Sequence, residues 1–232
     1  MITTRTAKQC GQADYGWLQA RYTFSFGHYF DPTLLGYASL RVLNQEVLAP
    51  GASFQPRTYP KVDILNLILD GEADRDSDGN HVQAKAGEAL LLAAQPGISY
   101  SEHNLSKVKP LTRMQLWLDA CPERENALVQ KIPLLAAQQQ LLASPDGEQN
   151  SLQLRQQVWV HHITLEKGES LNFQLHGPRA YLQSIHGTFH ALTHNEEREA
   201  LTCGDGAFIR DEPNITLVAD TPLRALLVDL PV

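Results

Sequence analysis

The chain has 232 residues, 43% hydrophobic and 19% charged, with 19 basic against 26 acidic side chains and a net charge of −7. A fold of this size buries roughly 70–75% of its unfolded surface, enough for one large β domain or two small ones without covalent staples. The acidic balance without a basic cluster excludes nucleic acid as a direct electrostatic partner, and no apolar run approaches the ~18 residues of a membrane span.

The first residues, MITTRTAKQC, hold no apolar core of the signal-peptide kind, so a cytoplasmic location is expected. Three cysteines, an odd number without a CxxC pair, fit free thiols in a reducing compartment. Trp17 and Leu18 are expected to anchor the opening segment. In RYTFSFGHYFDP, Tyr22, Phe24 and Phe26 alternate with Thr23 and Ser25, the period of a half-buried strand, until Asp31-Pro32 breaks it. LRVLNQEVLAPG is a second strand closing on Pro50-Gly51. Further strands are predicted over 63–69, 89–93, 99–102 and 113–118, with turns at Asp70-Gly71, Asp78-Gly79 and Pro96-Gly97.

The rhythm changes at Cys121. CPERENALVQK places Pro122 and acidic residues where a helix begins and Lys131 where it ends, which predicts one short helix. A connecting segment containing the SPDG turn follows. From Ser151 strands return, over 151–165, 171–175, 180–185, 187–192, 206–209, 215–219 and 224–229. Both halves repeat one theme. A Pro-Gly or Lys-Gly turn opens a strand, a glycine follows about 20 residues later, and Gly87-Glu88 or Gly204-Asp205 leads a final pair of strands. The expected fold is all-β, with two barrels produced by internal duplication. An N-terminal barrel spans 1–120, a linker with a short helix 121–150, and a C-terminal barrel 151–232.

GWLQARYTFSFGHYFDP, SLRVLNQEVLAPG, LDGEADRDSDGN and GISYSEHN resemble the signature stretches of the pirin family, which are two-cupin (bicupin) proteins. The resemblance covers nearly the whole chain and is densest between Trp17 and Asn104. It implies a cupin barrel in each half. It also implies one iron in the N-terminal barrel, held by three histidines and a glutamate on HPHR-like and GxxHSE-like segments. Some pirins show quercetin 2,3-dioxygenase activity, and the mammalian member acts as a transcriptional co-regulator. Carried over position by position, the first histidine falls on Arg57, the second on Tyr59 and the third on Tyr100, while Glu102 keeps the glutamate. In the second half the spacing of Gly168, Gln174 and His176 keeps one imidazole, and Leu217 takes the later strand position.

An arginine has no lone pair for a metal, and unaided phenols ionise near pH 10. The expectation is therefore no metal, no cofactor and no catalytic residue, with Arg57, Tyr59, Tyr100 and Glu102 lining a pocket. Arg57 is expected to pair with Glu102 or to receive a small anion across the barrel mouth, in a pocket open to an anionic or aromatic ligand. The plainer alternative is a polar pocket filled by its own side chains and water. His103 is expected to face away from Glu102, and His161 and His162 to face opposite sides of a strand. His186, His190 and His194 are read as ordinary polar positions on a hairpin. Cys121, at the start of the expected helix, gains thiolate character from the helix N-terminus and is the first redox candidate; Cys10, in a polar segment, is the second. Cys203 is expected to be half covered, and three inert thiols are the alternative. The functional expectation is a metal-free binding protein for a small molecule or protein partner, responsive to stress or oxidants. The alternatives are a dioxygenase that opens flavonols such as quercetin, and metal-independent acid–base chemistry at Tyr59, Tyr100 or Glu102.

Overall fold

A computed structural model describes residues 1–77 and 80–231; the expected turn at Asp78-Gly79 lies outside the described residues. Its strands, in chain order, begin with β1 (Ile2–Arg5), β2 (Gly11–Asp14), β3 (Leu18–Tyr22), β4 (Leu40–Leu48) and β5 (Ser53–Thr58). Next come β6 (Val62–Asp70), β7 (Glu72–Ser77), β8 (Asn80–Lys85), β9 (Glu88–Ala94), β10 (Ser99–Asn104), β11 (Leu111–Asp119) and β12 (Val129–Pro133). The second half adds β13 (Gln139–Ser144), β14 (Leu152–Gln153), β15 (Trp159–Leu165), β16 (Ser170–Gln174) and β17 (Arg179–His186). It closes with β18 (Phe189–Thr193), β19 (Arg198–Leu201), β20 (Gly206–Arg210), β21 (Asn214–Ala219) and β22 (Leu223–Asp229).

Each half pairs a seven-stranded sheet with a four-stranded one. The small sheets run β5-β10-β7-β8 and β16-β21-β18-β19; the large ones run β12-β9-β6-β11-β4-β3-β2 and β1-β20-β17-β22-β15-β13-β14. The small sheets match strand for strand and the large ones match from β9 to β3 and from β20 to β13, which is the duplication read from the turn signals. The edge strands differ: β14 is parallel to β13 where β2 is antiparallel to β3. Gly51, Gly71 and Gly87 in the first half and Gly168, Gly187 and Gly204 in the second all have φ between +70° and +93°. Only glycine adopts that backbone without strain, so the repeated turns were written in the sequence.

The chain divides into two compact units. One comprises Gly11–Leu134 with Leu154–Gln156; the other comprises Met1–Cys10, Leu135–Gln153 and the chain from Gln157 onward. This corrects the boundaries expected from the sequence. The first ten residues serve the C-terminal barrel, where β1 pairs antiparallel with β20. Leu154–Gln156 instead completes the N-terminal unit, where buried Arg155 donates from Nε to Asp63 Oδ1 at 2.8 Å and from its backbone N–H to Asp63 Oδ2 at 2.6 Å. Arg155 also donates to the Val62 and Ala94 carbonyls.

Two further expectations fail for physical reasons. The helix predicted from Cys121 is absent: residues 122–123 form a turn and β12 follows. Pairing of β12 along β9 satisfies a whole ladder of backbone groups, while Lys61 holds the Pro122 carbonyl at 2.7 Å and Glu125 at 2.8 Å, so local helix propensity is overridden. The aromatic alternation at 22–26 is likewise no strand. β3 ends at Tyr22, and Gly27 at φ +57° together with the Ser25–Asp31 hydrogen bonds folds the segment into a loop. No helix among the described residues is long and apolar enough to cross a membrane.

Candidate functional site

Alternation along β10 sends Tyr100, Glu102 and Asn104 into the N-terminal barrel and Ser99, Ser101 and His103 outward, as the expectation for His103 required. β7 lies directly alongside, with Glu102 opposite Arg75 and Tyr100 opposite Ser77. On the other flank, a register shift in β5 places Tyr100 opposite Arg57 and Glu102 opposite Phe54. That register decides the ion pairing. Arg57 does not reach Glu102: its guanidinium lies over the Phe54 ring at 4.5 Å and over Tyr59 at 5.6 Å. Glu102, 4% exposed, instead pairs with Arg75 and with Arg113, the latter at 2.8 Å. Arg113 faces Glu46 across β11 and β4 and contacts it at 3.4 Å. Its guanidinium also lies 5.2 Å from the Phe54 centroid.

Tyr59 and Tyr100, 7% and 1% exposed, pack among Val62, Ile64, Leu92 and Ala94. Their rings lie 5.7 Å apart, and Trp117 meets Tyr59 edge-on at 5.2 Å. Below them a polar chain runs from Trp117 Nε1 to Gln115 Oε1 at 3.0 Å and from Gln115 Nε2 to Asn66 Oδ1 at 2.8 Å. Beside the ion pairs lies a cavity of about 10 Å³ lined by residues including Asn66, Arg75, Glu102 and Arg113. That is room for about one water. A cavity of that size is far smaller than an aromatic ring. Burial, reinforced by neighbouring Arg113, pushes the Arg75 guanidinium down to about 9.

The donor set does not fit iron. Arg57 offers no lone pair, the two phenols are packed among hydrocarbon, and Glu102 is engaged by two guanidinium groups. Among the described residues, no three His, Cys, Asp or Glu side chains are grouped to hold a metal. Arg75 and Arg113 were not singled out from the sequence, because nothing in their spacing announces which strand will lie beside Glu102.

The C-terminal barrel carries none of this charge. Leu217, opposite Leu171 and Ala191, sits where Glu102 sits in the first barrel, within an apolar core of Phe173, Phe189, Ile209, Ile215 and Leu227 among others. Its histidines lie around that core. His161 and His162 do face opposite sides of β15: His161 packs 5.2 Å from Phe173, and His162 accepts from Arg224 Nε at 2.9 Å. Burial is the main cause that lowers both to about 4. Gln174 is exposed, and His176 stacks on Trp159 at 3.7 Å while bonding Asp229 at 2.7 Å. His186 is exposed, whereas His190 pairs with Asp220 and His194 with Glu212 at 2.6 Å, so these two are more than ordinary polar positions.

The thiols are also redistributed. Cys10 is buried, not accessible, with Sγ on the Thr6 carbonyl at 3.5 Å. Cys121 is half-buried, its backbone N–H donating to the Arg155 carbonyl and its Sγ to Gln156 Oε1 at 3.4 Å; without a helix, no N-terminal dipole acts on it. Cys203 is exposed rather than half covered.

Comparison with known proteins matches the Pirin family over residues 3–118 and the Quercetinase C-terminal cupin domain over residues 141–230. The chain is 84% identical to the pirin-like protein YhaK of Escherichia coli K12, over the whole of both chains. It is 35% identical to the quercetin 2,3-dioxygenase of the same organism, over all of this chain and 99% of that one. Among solved structures, the bacterial pirin YhhW of Escherichia coli in complex with nickel(II) shares the fold at a TM-score of 0.93 and 31% identity, covering 100% and 99% of the two chains.

Proposed function

We propose, from the premise that this chain belongs to the pirin family, that it is a metal-free, non-catalytic bicupin that works by binding. The observation that carries this reading is the pairing of Glu102 with Arg75 and Arg113 beside a cavity of about 10 Å³. A dioxygenase needs open coordination positions and room for its substrate, and this arrangement favours neither. The small anionic or aromatic ligand then belongs at the rim rather than inside. There Arg57 lies over Phe54, Phe54 meets half-exposed Trp17 edge-on at 5.2 Å, and a shallow depression is lined by Trp17, Ala52, Ser53 and Gln55. Guanidinium and aromatic faces together suit a planar anion.

The test is metal analysis of protein purified without chelator and then exposed to Fe²⁺, alongside oxygen uptake with quercetin. Iron well below stoichiometric and no uptake above the buffer rate are expected. Iron near one per chain with flavonol turnover would replace this reading by that of the 35%-identical relative.

A response to oxidants is the second part of the reading, and the exposure of the thiols supports it. Of the two candidates named from the sequence, Cys121 is the more accessible and Cys10 the less. Mild peroxide followed by mass spectrometry is expected to mark Cys121 before Cys10; no adduct on either would remove the redox part while leaving the binding part standing.

A further inference from the structure

We infer that Arg75 and Arg113 themselves lock the N-terminal barrel against metal, their guanidinium groups standing in for the charge of a bound ion, so that restoring imidazoles alone would not restore a metal site. The inference rests on the metal-free reading above and adds its cause. Three histidine positions could change in several ways that leave an empty, metal-hungry carboxylate; here the carboxylate is ion-paired with two guanidinium groups.

The geometry is specific. Glu102 and Arg75 are direct cross-strand partners on the inward face of β10 and β7, and Arg113 and Glu46 are direct partners on β11 and β4. Glu102 therefore spends one oxygen on each guanidinium, from two different sheets. All four residues are at most 4% exposed. Arg75 Nη1, Arg113 Nε and Asn66 Nδ2 are buried donors without a hydrogen-bond partner, and their side chains line the one-water cavity together with Glu102. A divalent cation at Glu102 would have to displace one guanidinium and sit beside two like charges in a closed, poorly screened interior. The fold does not demand this cluster, because the matching positions in the C-terminal barrel are Leu217 and Ala191.

Nickel binding by purified variants tests the lock, with Ni²⁺ as the probe, bound metal counted after desalting, and circular dichroism confirming the fold. The first variant carries Arg57→His, Tyr59→His and Tyr100→His. The second adds Arg75→Gln, leaving Arg113 as the guanidinium between Glu46 and Glu102; the third adds Arg113→Leu as well. The first is expected to stay near the unaltered chain, below about a tenth of a nickel per chain. The second is expected to bind at least about tenfold more tightly than the first, and the third to approach one nickel per chain. Should the third fail to fold, the second against the first still decides. Near-stoichiometric nickel on the first variant overturns the lock while sparing the metal-free reading of the unaltered chain. A folded second variant no better than the first overturns it too. Nickel held by the unaltered chain at Glu102 sinks both.

Discussion

The two barrels share a strand order and a set of glycine turns, yet at matching positions one buries an ion-pair cluster and the other hydrocarbon. Where Glu102 meets Arg75 in the first, Leu217 meets Ala191 in the second. The cupin frame thus fixes backbone and register and leaves the filling free. An apolar filling gains from removing area from water, whereas an ionic one must satisfy each buried charge or lose several kcal/mol. The N-terminal interior is accordingly the more specific of the two and the less tolerant of single changes.

Two substitutions separate these fillings most sharply. Glu102→Gln removes the carboxylate common to two buried guanidinium groups and is expected to cost about 3–5 kcal/mol in urea denaturation. If the loss were below about 1 kcal/mol, the cluster would be solvated and the closed interior wrong. Leu217→Ala, at the matching position, is expected to cost about 3 kcal/mol through lost burial and the cavity left behind, with no change in metal content or salt dependence. A larger loss there than at Glu102 would invert the contrast.

How much of this was legible follows the range over which each feature is determined. The turns at Gly51, Gly71, Gly168 and Gly187 could be read because a positive φ is a local demand on one residue. Of Arg57, Tyr59, Tyr100 and Glu102, named through the family's spacing, only Glu102 lines the one-water cavity. Arg75 and Arg113 could not be read, since their partners are set by sheet register across 27 residues and 11 residues of chain from Glu102 and by which face each strand turns inward. The helix at Cys121 was misread because Pro122 and its acidic neighbours describe only local preference, while β9 offered β12 an edge to complete. The assignment of Met1–Cys10 to the second barrel was hidden for the same reason: ITTR shows no sign of its partner Gly206–Arg210.

Acid should weaken the C-terminal barrel through its histidines. His161 and His162 are lowered to about 4, chiefly by burial, against 6.5 in the unfolded chain. The unfolded state therefore takes up a proton that the folded state refuses, and stability falls as pH drops from about 6.5 toward 4. At pH 5 the loss is about 2 kcal/mol per histidine relative to neutral pH. His162→Gln keeps an acceptor for Arg224 and removes one titrating group, so its stability should fall less between pH 7 and pH 5, by about one histidine's share. A variant whose acid slope equals that of the parent would show that His162 titrates normally, and the buried environment assigned to it would fail.

The smallest expected effect sharpens the contrast within the N-terminal barrel itself. Arg41 Nε and Asp119 Oδ2 lie 2.6 Å apart, a shorter contact than the 2.8 Å between Arg113 and Glu102, but their side chains are 48% and 39% exposed. Distance alone would rank this pair above the buried one. Solvent reverses the order, because water and salt screen the attraction and rehydrate either charge once its partner is gone, whereas a charge stranded beside Phe54 has no such refuge. Asp119→Asn is thus expected to cost only about 0.5 kcal/mol, shrinking further in 1 M NaCl. A cost approaching that of Glu102→Gln would mean that contact geometry, and not burial, governs the ion pairs of this barrel. The guanidinium lock would then lose the physical ground on which it separates Glu102 from any carboxylate at the surface.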